Sequence, residues 1–465
     1  MRGKTETLDI LSCVVKEARR LGLDAEAIWS SYREATMRSA WGEVHQTPTA
    51  DAGILEFRLR RGFRAARISV AESNQKAISA AVKRCSEMLS EVPENPYLPD
   101  LLHPPTDFPE EIGNLQGVPE FPDDLTVKER AFAHVKRSAR GTQLVGSGRF
   151  FTAGCEMGVA NTAGLARYHT ASYSFLSLVV TGAHGLSSYA DRASTSPEGV
   201  DVDAVIDEAF ARAARAQQLP FFDPFSDGKG ARRYDSVFTH YAVGEWLYWL
   251  SMFIFNGLSV FEGESFLSGY RIGDRITGDR FSMRDDWTHP GVIPLPFDLE
   301  GATRSVLPLV ERGIFRGIPC DGMTAKKSGM KSTGHSLFGS WGAVPFCVVV
   351  DGGNDTFETL VAQSVTPTIV GTYFNYPSLP DLREAVFTAT TRHGTFLVED
   401  GKYKAVCPPL RLRMRSFEAL ERIDGMTPPR LIRGQENYGM FYPISLVVPA
   451  MRLSDVNFVG SNPTI

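Results

Sequence analysis

The sequence predicts an α+β protein of two domains. An N-terminal α/β-type two-layer domain would span residues 1–225, and a C-terminal, mainly β domain would span 226–465. Three observations carry this. The first half alternates segments of helical period with segments of period two. The stretch "PFFDPFSDGKGARRYD", around residues 220–232, mixes Pro, Gly and charge without periodicity and reads as a boundary. Beyond it, short apolar runs are separated by glycine turns. A chain of 465 residues also asks for more than one core, since single cores stop growing at roughly 250–300 residues.

The opening segment places Leu8, Leu11, Val15, Ala18 and Leu21 at helical spacing and stops at Gly22. In "GILEFRLRRGFRAARISVAE" (53–72), Leu55, Phe57 and Leu59 alternate with Glu56, Arg58 and Arg60, the pattern of a half-buried strand. Arg61–Gly62 marks a turn into a second strand through Ile68 and Val70. The basic residues there read as a solvated sheet face in preference to a nucleic-acid ribbon. "NQKAISAAVKRCSEMLSEV" reads as a helix, ended by a Pro-rich extended connection. "LTVKERAFAHVKRSAR" is a further helix, leading to a strand-rich block around residues 151–180, and "VDVDAVIDEAFARAARAQQL" a closing one. In the second half "PFCVVVDGG" and "GTFLVEDGKYKAV" read as strands, and a helix begins near Ser236. "WLYWLSMFIF" within it reads as a buried core segment.

A formal net charge of −5 argues against nucleic-acid binding through bulk positive charge. The most apolar run, from Trp246, is shorter than the roughly 20 residues a bilayer crossing needs. The opening helix carries charges throughout and no signal-peptide core. The six cysteines are scattered without a Cys-x-x-Cys pair, as in proteins that keep their thiols reduced. These features predict a cytoplasmic protein that neither spans a membrane nor depends on nucleic acid.

Several catalytic signatures are missing. No Walker loop or dinucleotide fingerprint is present. "GHSLFG" (334–339) has one residue too many for a nucleophile elbow, and Cys320 lacks any sign of activation. The informative stretch is "THYAVGEWL", Thr239 to Leu247. It starts as a zinc-peptidase helix would, with His240, but carries Tyr241 where a general-base glutamate would follow. Glu245 falls five residues after His240, and at about 100° per residue the two point roughly 140° apart on a regular helix. A π-type bulge at Gly244 would reduce that to around 50°. His240, Tyr241 and Glu245 are thus candidates for a vestigial or reworked site, against the plainer reading of ordinary residues at a helix start.

"RFSMRDDWTHPGVIPLPFDLEGATRSVLPLVERGIF", "TAKKSGMKSTGHS" and "FLVEDGKYKAV" together resemble the TldD/PmbA family, the so-called modulators of DNA gyrase. "VANTAG" resembles its Asn-x-x-Gly turn. The Ser-Thr-Gly-His segment is similar to the PmbA (TldE) branch. The resemblance implies a two-domain, dimeric peptidase in which a TldD-type subunit carries His-Glu-x-x-x-His and a later cysteine, while its TldE-type partner lacks them. Here His240 matches the first ligand, Tyr241 and Glu245 replace the base and the second histidine, and the chain after Arg452 has no cysteine. The implied function is a non-metal subunit holding no cofactor itself. Zinc would reside in a TldD-like partner of a heterodimer, a homodimer being the other possibility, and the substrate would be an extended or modified peptide. The alternative is a stand-alone enzyme using His240, Glu245 and Tyr241 on a small peptide or biosynthetic intermediate. A gyrase- or DNA-binding role has little support from the charge. His335 either lines the substrate chamber or caps a strand. Asp285, Asp286, Asp298 and Glu300, which could mimic a hard-cation site, read as turn residues.

Overall fold

The computed structural model describes residues 1–104, 125–183, 186–337, 342–432 and 444–461. Its first half is one antiparallel sheet with helices on one face. The strands are β1 (Asp24–Ala40), β2 (Glu43–Gln46), β3 (Thr49–Arg61), β4 (Arg64–Val70), β5 (Val145–Asn161), β6 (Ala166–Thr181) and β7 (Ser187–Ser194). They run in the order β4-β3-β1-β5-β6-β7, with β2 paired to β1. Helices α1 (Lys4–Arg20) and α2 (Gln75–Met88) cover one end, α3 (Leu125–Ala139) and α4 (Val202–Gln218) the other.

Alternation along the strands explains both layers. Ala27 and Trp29 of β1 pack with α1 and α2, whereas Ile28 between them joins the core of the second half. On β5, Gly146, Gly148 and Gly158 face the helices, while Cys155, Met157 and Val159 face the second half. A Cβ at Gly158 would lie 2.5 Å from Thr7, so glycine there lets α1 settle directly on the sheet. Glu156, on the same face, accepts hydrogen bonds from the amides of Arg2 (2.7 Å) and Gly3 (2.9 Å) at the start of α1. It also accepts from Ser31, Trp29 and Tyr168. Those donors overcome the burial that opposes ionisation and hold its carboxyl below the usual range.

The second half holds β8 (Arg232–Phe238), α5 (His240–Trp249), β9 (Met283–Asp285), β10 (Leu307–Glu311), β11 (Ile314–Phe315) and β12 (Cys347–Val350). After these come β13 (Thr368–Asp381), β14 (Val386–Glu399), β15 (Lys402–Cys407) and β16 (Leu410–Arg415). The last four strands are β17 (Ile423–Met426), β18 (Arg430–Ile432), β19 (Ser445–Val448) and β20 (Met451–Ser461). One sheet runs β11-β10-β9-β12-β19-β18. In the other, β13-β8-β20-β16-β14 closes on itself through β13–β14 pairing, with β15 and β17 attached outside that ring. Closure leaves the ring without open edges.

Most predicted elements appear where the pattern places them: α1 to α4, the β3–β4 hairpin, β12 and the β14–β15 hairpin with its turn at Asp400–Gly401. Three corrections follow. The 17-residue β1 was not predicted, because both its faces are buried and no alternation marks it. Ser236 lies in β8, and the helix starts only at His240. Arg58 and Arg60 do not form a solvated face. Arg58 is mostly covered and pairs with Glu26 (2.7 Å) and Glu300 (3.8 Å), and Arg60 is buried against the Pro99 carbonyl. No helix among the described residues is long and apolar enough to cross a membrane. All six cysteines are free, five of them buried.

Candidate functional site

Helix α5 lies between the halves, and its first residues decide what the site can do. Strand β8 delivers the chain to Thr239, whose amide donates to the Gly371 carbonyl (3.2 Å) and whose hydroxyl donates to the Thr372 carbonyl. This pins the helix start to β13 without a side-chain cap on the helix. Hydrogen bonding is α-type as far as Trp249, and the π-type turn comes only at Leu250–Ile254. His240 and Glu245 therefore stay about 140° apart, and no bulge brings them together. Gly244 serves a different purpose: a Cβ there would lie 1.7 Å from Cδ1 of Ile432, so its absence admits β18 against the helix.

His240 points to the segment before β18. Its Nε2 lies 3.0 Å from the Thr427 hydroxyl and 3.3 Å from the Pro428 carbonyl. Burial, then the Arg430 guanidinium, push the imidazole down to about 3, so it is neutral at physiological pH. Tyr241 projects the other way into the first half, where it joins the core of α3 and α4. Its hydroxyl accepts from the Asp191 amide (3.2 Å), Arg192 Nη1 (3.1 Å) and Arg430 Nη2 (2.9 Å), and faces Glu208 Oε1 at 3.1 Å. With one proton, it donates to Glu208, and its two lone pairs are shared among the three donors. Burial, reinforced by Glu208, pushes the phenol up to about 12.

Glu208 on α4 is the hub. Arg212, four residues on, bonds it at 2.9 Å, Arg192 of β7 at 3.0 Å, and Arg430 of β18 approaches to 3.6 Å. Burial opposes its ionisation, but these three guanidinium groups prevail and hold the carboxyl far below the usual range. Next to it the Tyr189 ring packs edge-on to Tyr241 (5.1 Å), tilted on Tyr373 (5.0 Å) and stacked on His393 (5.9 Å). The Tyr373 hydroxyl donates to Glu245 at 3.1 Å. Tyr241 and Glu245, one turn apart, share this face; His240 does not. Among the described residues no three His, Cys, Asp or Glu side chains gather as metal ligands.

His335 is elsewhere and wholly buried, so it lines no open chamber. Its Nε2 lies 3.3 Å from Asp285, which also binds Arg304 at 2.8 Å and accepts from the Phe346 and Cys347 amides. This cluster ties the Ser-Thr-Gly-His segment to β9 and β12. Asp298 accepts from the amides of Glu300, Ala302 and Ser336, as a turn-forming carboxylate does. Asp286 accepts from the amide and hydroxyl of Thr288. Cys320 is buried, and burial pushes its thiol up to about 12, which leaves it unreactive.

Sequence reasoning missed Tyr189, Arg192, Glu208, Arg212, Tyr373, His393 and Arg430. Only the Glu208–Arg212 spacing on a predicted helix was a readable signal. The others come from four strands, β7, β13, β14 and β18, and meet only in the fold.

These features belong to an α+β protein, and its residues 231–460 match the PmbA/TldA metallopeptidase C-terminal domain, which makes it metallopeptidase-related. The chain belongs to the TldD/PmbA family. Solved structures share its fold over nearly the whole length. TldE from Thermococcus kodakarensis superposes with a TM-score of 0.78 at 16% identity, covering 97% of this chain and 99% of that one. A protein described as a modulator of a DNA gyrase from Thermotoga maritima MSB8 gives 0.76 at 15% identity, covering 97% and 99%. A similarly described protein from Bacteroides thetaiotaomicron VPI-5482 gives 0.75 at 16%, covering 98% and 99%. No curated protein matches the sequence.

Proposed function

We propose that this chain is the TldE-type, non-metal subunit of a heterodimeric TldD/TldE-type metallopeptidase complex that processes extended or modified peptides, the zinc being held by its partner. The observation carrying this reading is the state of Tyr241. Where a zinc peptidase of this helix type would aim a glutamate at bound water, the chain has a phenol buried in the first half, its oxygen engaged by three donors and one carboxylate. A group so engaged, raised to about 12, is a poor proton shuttle at neutral pH.

The residues at hand do not fit a zinc ion of this chain's own. His240 has a second candidate ligand, Glu245, only on a diverging face, and the Arg430 guanidinium beside it opposes a cation. The same geometry weakens the stand-alone reading, since His240, Tyr241 and Glu245 do not converge on one reacting atom. The contribution left to this subunit is structural: half of an interface and a wall of the chamber in which a peptide lies extended.

The test is co-purification with a chain carrying His-Glu-x-x-x-His, followed by metal analysis of each species. One zinc per heterodimer, none in this chain alone, is the expected result. Stoichiometric zinc in the isolated chain, lost on His240→Ala, would overturn the reading.

A further inference from the structure

Where a catalytic subunit would present a metal ion, this chain presents guanidinium groups. Arg192, Arg212 and Arg430 converge on Glu208, with the buried Asp191 as the other carboxylate beside them. Among the described residues, three guanidinium groups thus meet these two carboxylates. Glu245, nearby on α5, is engaged by Tyr373.

The three arginines are not equally occupied. Arg212 is buried and spends its donors on Glu208 and the Tyr189 carbonyl. Arg192 spends Nη2 on Glu208 and Nη1 on Tyr241 and the Asp191 carbonyl. Among the described residues, Arg430 makes a single hydrogen bond, from Nη2 to the Tyr241 hydroxyl, and lies over that ring at 5.1 Å. Its Nε is buried without a hydrogen-bond partner among the described residues. Its side chain is nonetheless 27% exposed, and those of Arg192 and Glu208 are 17% and 23% exposed, so the cluster reaches solvent. A guanidinium offers five N–H donors in a planar fork suited to carboxylate. A clamp meant only to join α4, β7 and β18 would spend the outermost arginine as fully as the inner two.

We propose that Arg430, backed by Arg192 and Tyr241, is a carboxylate-binding subsite that receives an acidic group of the peptide. It rests on the partner-subunit reading only for the claim that the carboxylate belongs to a peptide. The Arg430 and Arg192 guanidinium groups supply the charge. Tyr241, fixed by Glu208 and Asp191, keeps the Arg430 plane over its ring and so orients the fork. Such a subsite would anchor the substrate by its charge in one subunit while another holds the scissile bond.

The test uses the purified full chain and two minimal probes, N-acetylglycine and N-acetylglycinamide, titrated by calorimetry at low ionic strength. They differ only in the carboxylate, and charged hydrogen bonds of this kind give about a tenfold or larger preference. The acid is expected to bind at least about tenfold tighter than the amide, a preference weakened by salt. Arg430→Gln should abolish the preference, and Arg430→Lys, which keeps charge but loses the fork, should reduce it. Arg233→Gln, changing an exposed arginine of β8 paired with Asp455 of β20, should leave it intact. Equal binding of the two probes by the wild-type chain, or no binding of either, would overturn the proposal without recourse to any variant. A preference that survives Arg430→Gln would overturn it too. If the acid is preferred but no peptide is cleaved when a zinc subunit is added, the subsite stands and the peptidase reading falls.

Discussion

At the scale of single residues, the Tyr241 phenol is a structural group, and on the proposed reading it stands where a zinc-holding subunit carries its catalytic glutamate. Tyr241 is one of the points where the two halves exchange hydrogen bonds, and its hydroxyl satisfies donors from β7 and β18. Tyr241→Phe keeps the ring but strands those donors, at a cost of about 1–3 kcal/mol. Denaturant unfolding should show that loss, and an unchanged midpoint would contradict the assigned role. His240 makes a prediction of opposite chemistry. Its folded-state value, about 3, lies below its ordinary 6.5, so the unfolded chain binds the extra proton between them. The stability it contributes is present above pH 6.5 and is lost as pH falls toward 3. His240→Gln should flatten that part of the stability profile relative to wild type. A profile that falls equally steeply in the variant would show that the acid loss arises elsewhere, His169 and His393 being depressed in the same direction.

Among the elements, the contact between α5 and β18 is the tightest constraint. Gly244→Ala would gain up to about 1 kcal/mol of helix propensity. It would also drive a methyl to 1.7 Å from Ile432 Cδ1, and such overpacking costs about 1–3 kcal/mol. We expect net destabilisation and displacement of Arg430 from Tyr241, seen as a lower melting temperature. A variant as stable as wild type would mean that β18 yields freely. Sequence reading took Gly244 for the place of a helix distortion, because glycine alone does not reveal whether it frees the backbone or admits a neighbour. The elements that were legible, such as α1, α2 and the β3–β4 hairpin, are those with one buried face and a polar one. β1 and the site residues were not, since burial on both faces erases alternation, and Arg192, Glu208, Tyr373 and Arg430 come together only through long-range pairing.

Across the whole molecule, the two halves share a core and a set of buried charges. Glu300 of the second half meets Arg58 and Glu26 of the first. Burial and the neighbouring Asp298 raise its carboxyl above the ordinary 4.5. Asp298 has three amide donors and Glu300 has the Gly322 amide, so the proton rests on Glu300. A raised carboxyl binds its proton more tightly in the folded chain, so this contribution is full below pH 4.5 and is lost as pH rises through the folded value. Glu300→Gln should remove that decline, and a decline of undiminished size would contradict the assignment. The same joining of the halves buries Tyr241, the burial on which the proposed non-metal role rests. The most direct measurement is cleavage of an unstructured peptide, with zinc supplied, by this chain alone and mixed with a subunit carrying His-Glu-x-x-x-His. The account predicts no cleavage by this chain alone, and cleavage by the mixture that exceeds what the added subunit achieves unaided. Zinc-dependent cleavage by this chain alone, abolished by His240→Ala, would contradict it.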